Sequence, residues 1–208
     1  WPFMDLLNLL VDHDAKMVVT YHSDVVRQKR LFYLYKPLMK YFLNQVNIIV
    51  ATSNNYLQSS QTLKDYKKKV KVIPIGVSKK SYPIPTKKDL VKIGSLVGYD
   101  FFLFIGTLRK YKGLDYLLRA LKDTELKCVI AGSGPELIRL KNLVKELGLT
   151  NIVFLGRVSD SEKVSLIKLS RAVVLPSNLR SEEFGVVLLE GKKKKKPLIS
   201  TEIRTGTS

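Results

Sequence analysis

Glu182-Glu183-Phe184-Gly185-Val186-Val187-Leu188-Leu189-Glu190 is the segment from which the architecture of the chain can be inferred. Just before it, the apolar run Ala172-Val173-Val174-Leu175 is stopped by Pro176 and Ser177. A short apolar run bounded by turn residues reads as a buried strand, and the residues after Ser177 predict a loop and a helix opening near Phe184-Gly185. A helix entered from a strand of an α/β sheet turns its unsatisfied N–H groups and positive dipole end toward the carboxyl edge of that sheet. Such an edge suits an anion. Glu182 and Glu190 would repel a bare phosphate, so they need another partner, and carboxylates accept hydrogen bonds well from hydroxyls. If the stretch is helical throughout, its eight-residue spacing separates the two carboxylates by about 12 Å.

Upstream of this segment the chain alternates strand and helix. Phe101-Phe102-Leu103-Phe104-Ile105 is a fully apolar strand, followed by Gly106-Thr107-Leu108-Arg109-Lys110-Tyr111-Lys112-Gly113 and a helix expected from Lys112 to Leu121. Leu126 to Ala131 reads as a strand, and Gly132-Ser133-Gly134-Pro135-Glu136 turns into a helix whose first turn tolerates Pro135. Asn151 to Leu155 is a further strand, and Ser159-Asp160-Ser161-Glu162 has capping-box spacing. Alternation at this interval implies a parallel sheet covered by helices.

The amino-terminal part repeats the pattern less regularly. Residues 1–14 read as a helical remnant, and Met17-Val18-Val19-Thr20-Tyr21 as a buried strand delivering His22-Ser23-Asp24 to its carboxyl end. Ligands of open α/β sheets gather at such ends. Leu31, Leu34, Leu38 and Phe42 recur at helical spacing, with a kink expected at Pro37. A core-facing helix is the favoured reading; its aromatic and lysine content also suits a membrane surface. Asn47 to Ala51 is a strand, Thr52-Ser53-Asn54-Asn55 supplies a helix cap, and Val70 to Ile75 is a third strand closed by Gly76. From Val77 to Asp100, prolines, lysines and glycines give neither a clear helix nor a clear strand, so this segment is the expected linker. The expected domains are 1–92 and 93–208.

Composition narrows the function. The 208 residues, 45% of them hydrophobic, can bury a core or two, while 36 Lys+Arg against 18 Asp+Glu give a net charge of +18. Basic clusters at Lys67-Lys68-Lys69, Lys79-Lys80, Lys87-Lys88 and Lys192 to Lys196 attract anions in general: nucleotide diphosphates, lipid headgroups or nucleic acid. No zinc-ligand spacing, basic-zipper heptad or aromatic RNA-binding signature accompanies them. Cys128 stands alone in an apolar run, which excludes an intrachain disulfide and fits a reducing cytosol. No apolar run reaches the roughly 18 residues of a membrane span. Trp1-Pro2-Phe3 has no charged leader region, and the chain is expected to open in mid-domain.

Glu182 and Glu190 match the E-x7-E signature of retaining glycosyltransferases of the GT-B fold, and the chain resembles their large family 4. The loop 106–113 is similar to the family's "GRL…KG" element: Lys112-Gly113 matches position for position, whereas the family Arg falls on Thr107, with Arg109 two residues on. Gly132-Ser133-Gly134-Pro135 resembles the "GxGp" turn, Val72-Ile73-Pro74-Ile75-Gly76-Val77 the "viPnGvd" turn, and Gly156-Arg157-Val158 the "lGrv" turn. The resemblance implies two Rossmann-like units facing a cleft, the amino-terminal one incomplete, with first strands and closing helices of the family fold missing. It implies transfer of a sugar from a nucleoside diphosphate to a glycan or lipid-linked acceptor with retained configuration, mannose from GDP-mannose being one specialisation.

The same resemblance assigns roles. Arg109 and Lys112, with Gly106 and Thr107, fall to the donor diphosphate. Phe184, Gly185 and Val186 lie near phosphate or sugar, Glu182 on sugar hydroxyls and Glu190 on ribose, with Glu182 and His22 at the catalytic cleft. No metal or cofactor is expected, and cationic side chains take over charge stabilisation. The implied location is the cytoplasm, peripheral at the inner face of the membrane, with nucleic acid not expected as a partner. The competing class is a non-catalytic basic α/β module that binds nucleotides, nucleic acid or other polyanions.

Two departures from the family stand out. Glu190-Gly191 is followed by Lys192 to Lys196 and Pro197-Leu198-Ile199-Ser200, where the family reads "EAmaxGkP" and packs small apolar residues on the core. Five lysines cover every face of a helix, so some are expected to point inward at a desolvation cost; the alternatives are an altered run and a frayed, exposed turn. Arg204 stands where family members often carry Gly.

Overall fold

The structure is a computed structural model and describes residues 14–22, 24, 29–78, 82–179, 182 and 185–203. Most of the expected amino-terminal helix, together with Phe184 and Arg204, lies outside these residues. The chain divides into two compact units, one ending at Ile75 and one running from Gly76 to Ile203.

In the first unit, β1 (Val18–Tyr21), β2 (Ile48–Ala51) and β3 (Val70–Val72) form a three-stranded parallel sheet in that order. Strand β1 is half exposed rather than buried, with Val18 at 62%, because among the described residues it has a partner on one side only. Strand β3 is shorter than expected and stops at Val72. Helix α1 (Lys29–Gln45) runs through Pro37. Its buried stripe is Met39, Phe42 and Leu43, with Phe32 and Tyr35 packed on the same core, so Leu31 and Leu34 face outward at 58% and 81% exposure. Of the stripe expected from the sequence, Phe42 is buried and Leu38 partly so, whereas its amino-terminal half is one position out of register: both stripes have helical spacing, and packing decides between them. Ser53 caps α2 (Asn54–Ser59), its hydroxyl accepting from the Tyr56 amide at 3.0 Å.

The second unit opens with a helix where a linker was expected. Thr86 and Asp89 form a full capping box at the start of α3 (Lys87–Val97), and Ile93 and Val97 bury its inner face against α6. The cap and the i, i+4 apolar pair outweigh the helix-weakening Gly94, whose bare Cα leaves room for the Tyr99 ring. The boundary expected at residue 92 therefore falls inside α3, all of which belongs to the second unit.

Behind α3, β4 (Phe102–Ile105), β5 (Cys128–Ala131), β6 (Ile152–Gly156), β7 (Ala172–Leu175) and β8 (Leu198–Ser200) make one parallel sheet in the order β6-β5-β4-β7-β8. Between them lie α4 (Leu114–Ala120), α5 (Leu137–Glu146), α6 (Asp160–Leu169) and α7 (Val186–Lys193). β5 and β7 are buried at every position, as their unbroken apolar sequences require of inner strands. The predicted capping box at α6 is present: Ser159 N–H donates to Glu162 Oε2 at 2.9 Å and the Glu162 amide donates to Ser159 Oγ at 3.3 Å. Both sheets are parallel and helix-connected, the α/β class expected from the sequence.

The lysine run takes a different course from the inward-facing helix. Helix α7 ends at Lys193, and Lys195 adopts a left-handed conformation with φ +57°. None of Lys192 to Lys196 is buried; Lys193 Nζ donates to the Ser78 carbonyl at 2.9 Å and Lys196 Nζ to the Ser170 carbonyl at 2.6 Å. No ammonium group of the run enters the core, so replacing the whole run by apolar residues has no desolvation gain to collect. The strain sits at Lys195, the position of the family glycine. Lys195→Gly is expected to stabilise the second unit by about 1 kcal/mol, a melting shift of roughly 3 °C. Thermal denaturation checks this, and an unchanged or lower melting temperature would show the turn to be unstrained.

Candidate functional site

The strand order reverses at β4. The chain winds outward through β5 and β6 on one side, then crosses to β7 and β8 on the other. The loops leaving the carboxyl ends of β4 and β7 therefore diverge, and the crevice between them is where open parallel sheets take ligands. These are the loops 106–113 and 176–185, which hold most of the residues singled out from the sequence.

Their contact explains the Lys112-Gly113 pair. Gly113 has φ +66°, and a Cβ there would collide with the Pro176 carbonyl oxygen. The Asn178 amide donates to the Tyr111 carbonyl at 3.0 Å, so the two loops touch through main chain. On the other flank, a Cβ on Gly132 would collide with the Gly106 carbonyl. The Leu108 amide donates to the Ser133 carbonyl at 3.0 Å, and the Glu136 amide to the Leu108 carbonyl at 3.1 Å. Leu108 is fully buried, which turns its neighbours Thr107 and Arg109 outward. Among the described residues no acidic group pairs with the Arg109 guanidinium.

Glu182 and Glu190 have matching surroundings. Glu182 lies in the loop before α7, not in a helix, so E-x7-E bridges a loop and a helix; Gly185, at φ +61°, makes the turn between them. Glu182 Oε2 accepts from Lys112 Nζ and, at 2.8 Å, from Ser177 Oγ. The two charged side chains are 13% and 9% exposed. Lys112 thus neutralises the carboxylate that would otherwise repel a phosphate here. Glu190, on the inner side of α7, is as deeply placed: its Oε1 accepts from the Tyr82 hydroxyl and from Lys163 Nζ at 3.2 Å. Neither Glu182 Oε1 nor Glu190 Oε2 has a donor among the described residues.

Burial lowers the Lys163 pKa, but the hydrogen bond to Asp160 and the charge and hydrogen bond of Glu190 outweigh it and leave the ammonium above its ordinary value. Burial, then the Glu190 carboxylate, pushes the Tyr82 phenol upward. Sequence reasoning missed Ser177, Tyr82 and Lys163. Ser177 reads as a strand stop, Tyr82 falls in the expected linker, and Lys163 is one lysine among many, just past the cap of α6. Long-range pairing of this kind leaves no local signal.

Val186 opens α7 at 40% exposure, and Thr107 and Gly106 lie in the β4 loop as expected. His22 belongs to the first unit, where it stands exposed directly after β1. Beside it, Asp24 accepts from the Tyr21 hydroxyl at 3.1 Å and from Ser60 Oγ at 2.8 Å. Among the described residues no three His, Cys, Asp or Glu side chains gather as a metal site, and no helix is long and apolar enough to cross a membrane.

Comparison with known proteins places this geometry in a family. Residues 86–208 match the family described as glycosyl transferases group 1, and residues 1–80 match glycosyltransferase family 4. Over all 208 residues the chain is 50% identical to the D-rhamnosyltransferase WbpZ of Pseudomonas aeruginosa and 49% identical to the O-antigen chain mannosyltransferase C of Escherichia coli. It spans 55% and 56% of their lengths, about half of each. Among solved structures, the sucrose-phosphate synthase of Thermosynechococcus elongatus superposes with a TM-score of 0.74 at 19% identity, over 95% of this chain and 53% of that one. Anabaena Alr3699/HepE, in complex with UDP and glucose, superposes with a TM-score of 0.73 at 22% identity, over 92% of this chain and 54% of that one. Those two likenesses concern the fold, whereas the family match extends over more than half of the sequence, and the chain belongs to the glycosyl transferases group 1 family.

Proposed function

We propose that the chain carries the donor-binding unit of a retaining glycosyltransferase, which moves a sugar from a nucleoside diphosphate to a hydroxyl of a glycan or lipid-linked acceptor. The observation that carries this reading is the crevice at the strand-order reversal. Among the described residues its loops carry an exposed cation with no acidic partner, Arg109, and a largely buried carboxylate with one oxygen left over, Glu182; Glu190 on α7 is a second such carboxylate. Arg109, with the two donors that Lys112 retains after bonding Glu182, takes the diphosphate. The first amides of α7, from Val186, add backbone donors beside it. Glu182 Oε1 accepts from sugar hydroxyls and Glu190 Oε2 from the ribose, while His22 and the Asp24 cluster serve the acceptor side. Cationic side chains stabilise the leaving diphosphate, with no metal required. The rhamnosyl and mannosyl transfers named for the two 50% and 49% identical relatives favour a manno-configured sugar.

The test is a titration of the 208-residue chain with GDP, UDP, their sugars and the free nucleosides at two salt concentrations. Tight binding of one diphosphate with selectivity for its base is expected. Steep salt dependence with no nucleotide preference would instead favour the polyanion-binding module. Glu190→Gln is expected to weaken diphosphate binding about tenfold, since a hydrogen bond to a charged group contributes roughly 1.5 kcal/mol or more. Unchanged affinity would remove Glu190 from the site.

A second observation concerns the membrane. The outward face of α1 presents Leu31, Tyr33, Leu34 and Tyr41, all more than half exposed, among the exposed Arg30, Lys36 and Lys40. An apolar and aromatic face bordered by cations suits the surface of an anionic bilayer. The chain is expected to sediment with phosphatidylglycerol vesicles and not with phosphatidylcholine vesicles. Leu34→Glu should abolish that sedimentation, and retention by the variant would put the contact elsewhere.

A further inference from the structure

Glu190 is held by more than its own helix. Its Oε1 accepts from two donors, the Tyr82 hydroxyl and Lys163 Nζ. Each donor is itself held. Lys163 also reaches Asp160 at 3.1 Å, and its ammonium lies 4.7 Å from the centroid of the Tyr82 ring. Lys193 Nζ lies 5.2 Å from the same ring and donates to the Ser78 carbonyl at 2.9 Å. Tyr82 therefore has its hydroxyl on the carboxylate and its ring beside two ammonium groups, an arrangement favoured by the ring quadrupole.

A glutamate carboxylate rotates broadly about its last torsion. Two donors on one oxygen remove that freedom and leave the other oxygen in a fixed place. Lys163 Nζ, 3.2 Å from Glu190 Oε1, gives the largely buried carboxylate a counter-charge as well as a donor. A carboxylate oxygen fixed as an acceptor suits the hydroxyls of a vicinal diol rather than a phosphate. An acceptor positioned before the ligand arrives loses less entropy on binding than a mobile one.

From this we propose that Tyr82 and Lys163 are positioning residues for ribose recognition: they lock Glu190 Oε1 so that Oε2 is the oxygen offered to the 2′ and 3′ hydroxyls of the donor nucleotide. The proposal rests on the reading of Glu190 given under the proposed function. It goes further in assigning the recognition of ribose to a three-residue unit: Tyr82 ahead of α3, Lys163 on α6 and Glu190 on α7.

The experiment measures dissociation constants of GDP and UDP, each beside its 2′,3′-dideoxy counterpart, on the 208-residue chain. The wild type is expected to bind the preferred ribonucleotide at least tenfold more tightly than the dideoxy form, and Glu190→Gln to erase that ratio. Tyr82→Phe keeps the ring and removes only the hydroxyl. It and Lys163→Met are each expected to shrink the ratio at least threefold while leaving dideoxynucleotide affinity unchanged, and Lys163→Arg to restore most of it. A purely structural role would weaken both nucleotides together. If Glu190→Gln erases the ratio but Tyr82→Phe and Lys163→Met keep it, the clamp is refuted and the ribose reading stands. If the wild type shows no ratio, or Glu190→Gln retains it, both fall.

Discussion

Lys112→Met is expected to destabilise the second unit by roughly 3 kcal/mol, because it leaves the Glu182 carboxylate largely buried without its counter-ion. The ion pair is only 13% and 9% exposed, so water screens it weakly. Ser177 Oγ would remain as the single donor on Oε2, too little to replace an ammonium. For a chain of this size such a loss corresponds to a fall in melting temperature on the order of 10 °C. The double variant Lys112→Met, Glu182→Gln removes both charges and is expected to recover at least half of it, since the cost of the single variant is mainly that of the stranded carboxylate. Thermal or urea denaturation of the four proteins of this cycle measures the coupling. A loss below about 0.5 kcal/mol for Lys112→Met would be the mark of a solvated surface pair.

Arg109→Ala is expected to weaken nucleoside diphosphate binding about a hundredfold and nucleoside binding hardly at all. A guanidinium that contacts two phosphate oxygens makes charge-assisted, bidentate bonds worth roughly 3 kcal/mol, and a free nucleoside has nothing to offer it. Thr107→Arg in the Arg109→Ala background should restore much of the affinity. The segment is extended at Arg109 (φ −121°, ψ 153°), and residues two apart in an extended chain share a face. With Leu108 buried between them, Thr107 and Arg109 both face outward. Calorimetric titration of GDP and guanosine, or of UDP and uridine, decides the matter. An equal, small loss for both would leave Lys112 as the only phosphate cation of the loop.

What the sequence disclosed came from local periodicity. The apolar runs of β4, β5 and β7 were legible because buried parallel strands need every residue apolar, and the Ser159–Glu162 cap was legible because its chemistry lies within four residues. Helix α3 was hidden by Gly94, Gly98 and the nearby prolines, although its Thr86–Asp89 cap is as local as that of α6; burial of Ile93 and Val97 supplies the tertiary part. The register of α1 was ambiguous for the same reason, since Leu31 and Leu34 have the right spacing but no core to face. At the site, the carboxylates were found by their motif, whereas the partners that tune them, Ser177, Tyr82 and Lys163, come from elsewhere in the chain. The lysine run misled because a continuous helix was the simplest extension of the pattern. The helix ends at Lys193, and the ammonium groups of Lys193 and Lys196 bond to backbone carbonyls.

The bracing of the 106–109 loop by peptide groups has a consequence for how such a site can change over time. Its shape is held by the Leu108 amide and carbonyl, by the buried Leu108 side chain, and by the bare backbone of Gly132 pressed against Gly106. Neither Thr107 nor Arg109 lends a side chain to that framework, so mutation can exchange either of them without disturbing the mould. Substitution at Gly132 has no such latitude, because any β-carbon there strikes a carbonyl that belongs to the main chain. The architecture thus tolerates a cation at either exposed position, 107 or 109, and tolerates no β-carbon at Gly132. A departure from the family pattern at position 107 is the kind of change that the architecture absorbs.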